Sequence, residues 1–502
     1  MLAISIDKSS PLSLYQQVYE ELRLLILSGR LKSGQKLPSS RELAKHLCIS
    51  RTISSLGYKM LESEGYISTV PAVGTFVSAE IPDVSLRAAA NSHEMDWPIA
   101  APVSCIKISK LANTINEHSS LSFLPVEGLI KLGTNSPSVD DFPLDLWRQI
   151  TNRVLKEAYG ECLGYTPLEG CKPLKSALLN YLNISRAVKC SEDQIIICAG
   201  SRQALDLVAR AHVDEADLVA IEDPAYGGAR QAFQSAQLLG IPLDGSGLQT
   251  SKLASLPENV NLIYVTPSHQ YPLGSTMALQ RRLELLHWAN RSGAMIIEDD
   301  YDSEFRYGER PIPSLQGLDT ANRVVYIGTF SKTIFPALRI GYIVAPPSVA
   351  PLYRQMQQSL YGQIPYLEQM VLAQFLAEGH FDRHVRRMRT IYERRRNLAR
   401  IEFSRVHRKA EIIGDNAGMA FVLRLPEIAA TAGAPAARRL RKSDLDTLLK
   451  RMSLAGIQMR STNEFYLNEQ MQGIELIIGY GGLSEEQIKY CARTLKRVIS
   501  EL

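Results

Sequence analysis

Between Ser13 and Ser28 apolar side chains fall at Leu14, Val18, Leu22, Leu25 and Ile26, one face of a 3.6-residue period, and Gly29 ends the run. The pattern predicts an amphipathic helix. After a turn-rich stretch (Lys32-Ser33-Gly34-Gln35, Pro38), Ser39 and Glu42 stand at capping-box spacing ahead of Leu43, Ala44 and Leu47, which predicts a short second helix. Cys48-Ile49 makes a turn, Ser50 is a good N-cap, and Ile53, Gly57, Met60 and Leu61 line one face up to Gly65. Two β-rich runs, Tyr66 to Val70 and Thr75 to Val77, flank the turn Pro71-Ala72-Val73-Gly74. The reading is a helix, a helix-turn-helix and a β-wing.

In that geometry the start of the third helix faces a DNA major groove. Ser50, Arg51 and Thr52 lie there, Arg51 within reach of a guanine edge and Thr52 of a base or phosphate. Ser39, Ser40 and Arg41 suit phosphates, and Gly74 and Thr75 sit at the wing. Residues 1–78 carry nine Lys and Arg against six Asp and Glu, a net of +3, which permits nucleic-acid binding without requiring it. A small helical domain with solvated arginines has the same pattern. The words add to it: the run from Leu27-Ser28-Gly29-Arg30 through Leu37-Pro38-Ser39-Ser40-Arg41-Glu42-Leu43-Ala44, with Gly74-Thr75-Phe76-Val77, resembles the winged helix of GntR-type bacterial transcription regulators. The third helix departs from them at Thr52, where relatives usually have Asn, and at Gly57, which in mid-helix costs about 1 kcal/mol relative to Ala.

Residues 79–104 lose periodicity and contain Pro82, Pro98 and Pro102, so we expect a linker between a 1–78 domain and a 105–502 domain. In the latter, helical stretches (Ala204 to Ala211, Arg281 to Asn290) alternate with short β-rich runs: Gln194 to Cys198, Leu218 to Ile221, Asn261 to Val265, Ala294 to Ile297 and Arg323 to Ile327. Alternation of this kind predicts an α/β fold with a largely parallel sheet and a ligand site beyond the strand ends. There the chain places Glu298-Asp299-Asp300-Tyr301-Asp302, Gly328-Thr329-Phe330-Ser331-Lys332, and Gly200-Ser201-Arg202 opening a helix, with Arg339 seven residues beyond Lys332. An amine, a carboxylate and an anion cradle are the groups that pyridoxal phosphate needs: a Schiff-base lysine, a partner that keeps the pyridine nitrogen protonated, and phosphate donors.

Glu222-Asp223-Pro224-Ala225-Tyr226, Thr266-Pro267-Ser268-His269-Gln270-Tyr271-Pro272-Leu273-Gly274 and the two phrases around Asp299 and Lys332 resemble the fold-type I aminotransferases. Residues 5 to 500 as a whole resemble the MocR/GabR family, a GntR winged helix fused to an aminotransferase-like domain. The resemblance implies Lys332 as the internal-aldimine lysine, Asp299 on the pyridine nitrogen, Tyr301 on the ring hydroxyl and Tyr226 stacked on the ring. Ser201, Arg202, Thr329, Ser331 and Arg339 would hold the phosphate, and Tyr165 would reach the partner subunit's phosphate. For Tyr165 and Tyr226 core packing is an equal reading; His269 reads as a structural polar residue. Our alignment sets Glu475 where aminotransferases carry the arginine for a substrate carboxylate; either Arg460 substitutes, or the ligand is not an ordinary amino acid, or the alignment there is shifted by a few residues.

The resemblance further implies a head-to-tail homodimer, paired half-sites in double-stranded DNA, and PLP or an amino compound as effector. The alternative is a working aminotransferase with a DNA-binding appendage. Composition narrows the rest. With 502 residues, net charge +4, 45% hydrophobic and 22% charged residues, the chain is neither collagenous nor disordered. No uncharged apolar run nears the ~20 residues of a membrane span, so a cytoplasmic protein is expected. Seven scattered cysteines without a C-x-x-C spacing predict reduced thiols and no metal site.

Overall fold

The computed structural model describes residues 12–79, 128–157, 169–308, 312–426, 442–468 and 473–502, with single positions between them. The chain divides into two units at Asn116/Glu117. The expected linker, apart from Ala79, lies outside the described residues.

In the first unit α1 (Leu14–Leu27), α2 (Ser40–His46) and α3 (Arg51–Ser63) precede the antiparallel pair β1 (Ile67–Val70) and β2 (Gly74–Val77). Val18, Leu22, Leu25 and Ile26 of α1 meet Leu43, Tyr58, Leu61, Ile67 and Val77 in one core. Both caps form: Ser39 Oγ accepts from the Glu42 N–H at 3.2 Å while the Ser39 N–H donates to the Glu42 carboxylate at 2.8 Å, and Ser50 Oγ accepts from the Ile53 N–H at 3.4 Å. The buried Ser54 hydroxyl donates to the Ser40 carbonyl at 2.6 Å, fixing α3 against α2. Gly57 has a packing reason. It faces α1 so closely that a Cβ there would lie 3.0 Å from Val18 Cγ1 and 3.2 Å from the Tyr15 carbonyl oxygen.

The second unit holds β3 (Ile130–Lys131), β4 (Ile195–Cys198), β5 (Leu218–Asp223), β6 (Gln237–Asp244), β7 (Gly247–Leu248), β8 (Val260–Val265), β9 (Met295–Asp300), β10 (Val324–Thr329) and β11 (Gly341–Val344). Eight of these form one sheet in the order β4-β11-β10-β9-β8-β5-β6-β7. Pairs from β10 to β6 run parallel, as expected, but β11 is antiparallel to both neighbours and β7 is antiparallel to β6. The five expected strands are all present. The helix Ser201–His212 covers one face through Leu205 and Val208, and the helix Leu279–Ser292 belongs with a second cluster through Leu285 and Ala289.

A smaller antiparallel sheet follows: β12 (Glu411–Ile413), β13 (Ala420–Pro426), β15 (Arg460–Ser461) and β16 (Gly473–Gly479), in the order β12-β13-β16-β15, while β14 (Ile457–Gln458) pairs with β3. The parallel strands of the large sheet carry the residues of interest just past their C-terminal ends, where helix N-termini also gather.

Candidate cofactor site and nucleic-acid interface

On the first unit Arg41, Ser50, Arg51 and Thr52 are exposed at the starts of α2 and α3. Ser39 is committed to its cap, where its hydroxyl also contacts the Glu42 carboxylate at 3.0 Å, and Ser40 is half-buried. At the wing Gly74 has φ +142°, and a Cβ there would meet Lys36 Cε at 2.6 Å. Thr75 faces Thr69 across the hairpin, hydroxyl to hydroxyl at 3.3 Å.

In the second unit Asp299 lies one residue before the end of β9, buried and registered beside Ile327 of β10. The Tyr264 hydroxyl, from the neighbouring β8, donates to Asp299 Oδ2 at 2.8 Å, while Oδ1 is buried without a partner among the described residues. Burial pushes this carboxyl up to about 7 against the opposing pull of the Tyr264 hydroxyl; Asp300 and Asp302 push the same way and Lys332 opposes them. Lys332 follows β10, and its amine donates to the Asn135 carbonyl. Burial lowers its proton affinity, and Asp302 and then Asp299 restore part of it. The result is an amine and a carboxylate held at neighbouring strand ends with one oxygen unspent.

Groups that suit an anion gather at one edge of the sheet, beside β4 and its neighbour β11. Gly200 (φ +87°) leads from β4 into the helix Ser201–His212, whose first amides have no side-chain cap. The Arg339 guanidinium lies 3.3 to 3.4 Å from where a Gly200 Cβ would stand and donates to the Ala199 carbonyl at 2.7 Å. Arg339 itself has φ +52°, uncommon for a residue with a side chain. Thr329 Oγ1 accepts from the Ser331 N–H at 3.2 Å and contacts Ser331 Oγ at 3.1 Å. Arg202 is exposed at the helix start.

Aromatic rings wall the space beside these groups. Tyr226, Tyr271 and Tyr301 stand edge to face at 5.7 and 6.0 Å, and Tyr271 meets Phe465 at 5.2 Å. The Tyr301 hydroxyl lies 3.1 Å from His269 Nδ1, and that nitrogen lies 2.9 Å from Asp302. Tyr165 is fully exposed.

Arg460 and Glu475 part company. Arg460 on β15 stands over the Phe465 ring at 5.0 Å and makes two bonds to Glu464, at 2.7 and 2.6 Å. Glu475 on β16 is buried and bonded to Arg424 at 2.8 Å, Thr462 at 2.6 Å and Tyr466 at 3.3 Å. The β16 residue beside the rings is Ile477, packed with Phe465 and Tyr271 and registered opposite Arg460. The sequence reading passed over Tyr264, Asn135 and Ile477. A tyrosine ending an apolar strand is the one signal that pointed to Tyr264; Asn135 and Ile477 are set by tertiary contacts alone.

Residues 127–495 match the family described as Aminotransferase class I and II, and residues 14–77 match the Bacterial regulatory proteins, gntR family. The chain is 36% identical over 397 residues, 78% of each chain, to the probable rhizopine catabolism regulatory protein MocR of Rhizobium meliloti. The chain belongs to the MocR family of transcriptional regulators. Other relatives of this regulator are the pyridoxine biosynthesis regulator PdxR of Corynebacterium glutamicum, 31% identical over 79% of this chain and 80% of that one, and YhdI of Bacillus subtilis, an uncharacterized helix-turn-helix regulator, 31% identical over 98% and 97%. Its second unit is similar to the multiple substrate aminotransferase from Thermococcus profundus, TM-score 0.68 at 27% identity, over 78% of this chain and 97% of that chain. The MocR-family regulator thus joins a DNA-binding winged helix to a fold-type I aminotransferase domain, a fold that implies dependence on PLP. None of its described helices is long and apolar enough to cross a membrane.

Proposed function

We propose that this regulator reads DNA through α3 and the wing and senses PLP, or an amino compound presented to PLP, in the cleft at the strand ends. The observation that carries the reading is the convergence of Lys332, the unspent oxygen of Asp299 and the Gly200–Arg339 cradle. A buried carboxylate oxygen with no partner is costly unless a donor meets it. A protonated pyridine nitrogen is such a donor, and the N-terminus of the helix Ser201–His212, which has no side-chain cap, suits a phosphate beside Arg339.

In this assignment Lys332 binds the cofactor covalently through its amine, and Asp299 holds the pyridinium proton, with Tyr264 fixing its other oxygen. Tyr301 donates to the ring hydroxyl, Tyr226 covers the ring, Ser201, Arg202, Thr329, Ser331 and Arg339 hold the phosphate, and Tyr165 serves the partner's site in a head-to-tail homodimer. The cofactor when bound supplies an electron sink and a carbonyl that reacts with amines. Arg460 takes an effector's carboxylate after releasing Glu464, and the buried charge of Glu475 has a structural role. Ser50, Arg51 and Thr52 read bases, Arg41 and Ser40 contact phosphates, Ser39 orders the start of α2, and Gly74 and Thr75 place the wing. Signalling requires an effector that binds one arrangement of the protein better than another.

The test is the visible absorption of the purified protein with added PLP. Lys332→Ala should lose the lysine-bound band while keeping its fold by circular dichroism. An unchanged spectrum removes Lys332 from its role, and no band in the parent protein removes PLP from the reading.

A further inference from the structure

The positive charge of the chain is concentrated in one element of the aminotransferase-like unit. From His380 to Lys409 there are eleven Lys and Arg against three Asp and Glu, a net of +8, while the whole chain carries +4. The rest of the chain therefore sums to a net negative charge, although residues 1–78 are net positive. The segment is the 25-residue helix His380–Ser404 and the turn after it. Phe381, His384, Val385, Met388, Tyr392, Ala399 and Phe403 bury one face of that helix, and arginines occupy the other.

Some of these cations have structural work. Arg395 binds Asp141 at 2.9 Å, Arg394 binds Glu485 at 2.6 Å and Arg400 binds Asp415 at 2.7 Å. Arg386, Arg405, Arg408 and Lys409 are exposed, with no hydrogen bond or ion pair to their side chains among the described residues. Four unpaired cations beside several partly neutralised ones are a self-repelling surface, which a polyanion would relieve.

We infer that this helix and the turn after it, which carries Arg405, Arg408 and Lys409, form a second DNA-contacting surface, binding the phosphate backbone without reading sequence. The inference rests on the reading of the protein as a DNA-binding regulator. The helix is about 37 Å long at 1.5 Å per residue, close to one turn of B-DNA at about 34–36 Å. Its exposed face offers one large apolar side chain, Ile401, so it lacks the apolar centre that a protein interface or a membrane-bound helix needs. Backbone phosphates ask only for spaced cations.

The experiment uses the full-length, PLP-loaded protein and two random-sequence duplexes, about 20 and about 60 base pairs long, in a salt series. Neutralising Arg386, Arg405, Arg408 and Lys409 together to Gln should reduce the slope of log affinity against log salt on the longer duplex by about 3 to 4, since each lost phosphate contact removes about 0.9. Glu393→Lys, an exchange of an exposed acid on the same face, should raise that slope. Unchanged slopes in both variants, with DNA binding intact in the parent, overturn this surface alone. No DNA binding by the parent on either duplex overturns the regulator reading with it. A neutralised variant that keeps its DNA slope and loses affinity for phosphatidylserine vesicles assigns the face to a membrane, against the proposal.

Discussion

Arg460 and Ile477 face each other across the antiparallel pair β15–β16, so the charged group beside the aromatic wall is a guanidinium, held by Glu464. If Arg460 takes an effector's carboxylate, as proposed, the incoming group must displace Glu464. Arg460→Gln should abolish spectral shifts induced by amino acids while leaving the PLP band in place. Glu464→Gln should tighten amino-acid binding several-fold, because the competing internal carboxylate is gone. Titration of the PLP-loaded protein checks both, and equal affinities in parent and Glu464→Gln would show that Glu464 does not compete.

Glu475 should behave as a structural residue. Its carboxylate is buried against Arg424, Thr462 and Tyr466, so Glu475→Gln weakens a buried network and should cost about 2–3 kcal/mol. The urea midpoint should fall with little change in amino-acid response. A lost response at full stability would return Glu475 to the ligand site.

Asp299 makes the cofactor-free protein sensitive to pH. Its folded value of about 7 lies above the ordinary 3.8, so the folded state holds the proton longer than the unfolded chain. The resulting stability is fully present below about pH 3.8 and is lost as pH rises through about 7. Denaturation midpoints of the cofactor-free protein should therefore fall between about pH 4 and pH 7 more steeply than those of Asp299→Asn. Parallel profiles would remove Asp299 as the source.

Arg51→Ala should weaken sequence-specific DNA binding by about 1–3 kcal/mol and leave non-specific binding nearly unchanged. Anisotropy on a selected duplex and on a scrambled one separates the two, and equal losses on both would make Arg51 a phosphate contact.

Gly57 offers a test of packing against helix propensity. Gly57→Ala would add about 1 kcal/mol of helix stability if propensity ruled. The Tyr15 carbonyl oxygen and Val18 already stand at contact distance, so we expect no gain, and a loss of about 2–3 kcal/mol for Gly57→Leu. A higher melting temperature for Gly57→Ala would show that α1 and α3 separate at little cost.

Periodicity and caps made the first unit legible nearly residue by residue, because Ser39, Ser50 and the apolar stripe of α1 act within a few positions of themselves. Strands β4, β5, β8, β9 and β10 were legible for a similar reason, since each is a short, largely buried apolar run, while the more exposed β6 was not. The antiparallel insertion of β11 was not legible, since Gly341–Val344 reads as one more apolar run and direction leaves no mark on a single strand. The same limit governs the small sheet. A period of two says that Glu475 and Ile477 share a face, but only the pairing partners decide which of them meets Arg424 and which meets the rings.

The reversed strand β11 brings the chain back to β4, so that Arg339 lands beside Gly200 and Ala199, about 140 residues earlier. A ribosome must therefore carry synthesis past Val344 before Arg339 can settle beside Gly200 and Ala199. PLP would be acquired as a late event in biogenesis, after the sheet closes, and a truncated product ending before β11 would be blind to the vitamin however well its winged helix folded.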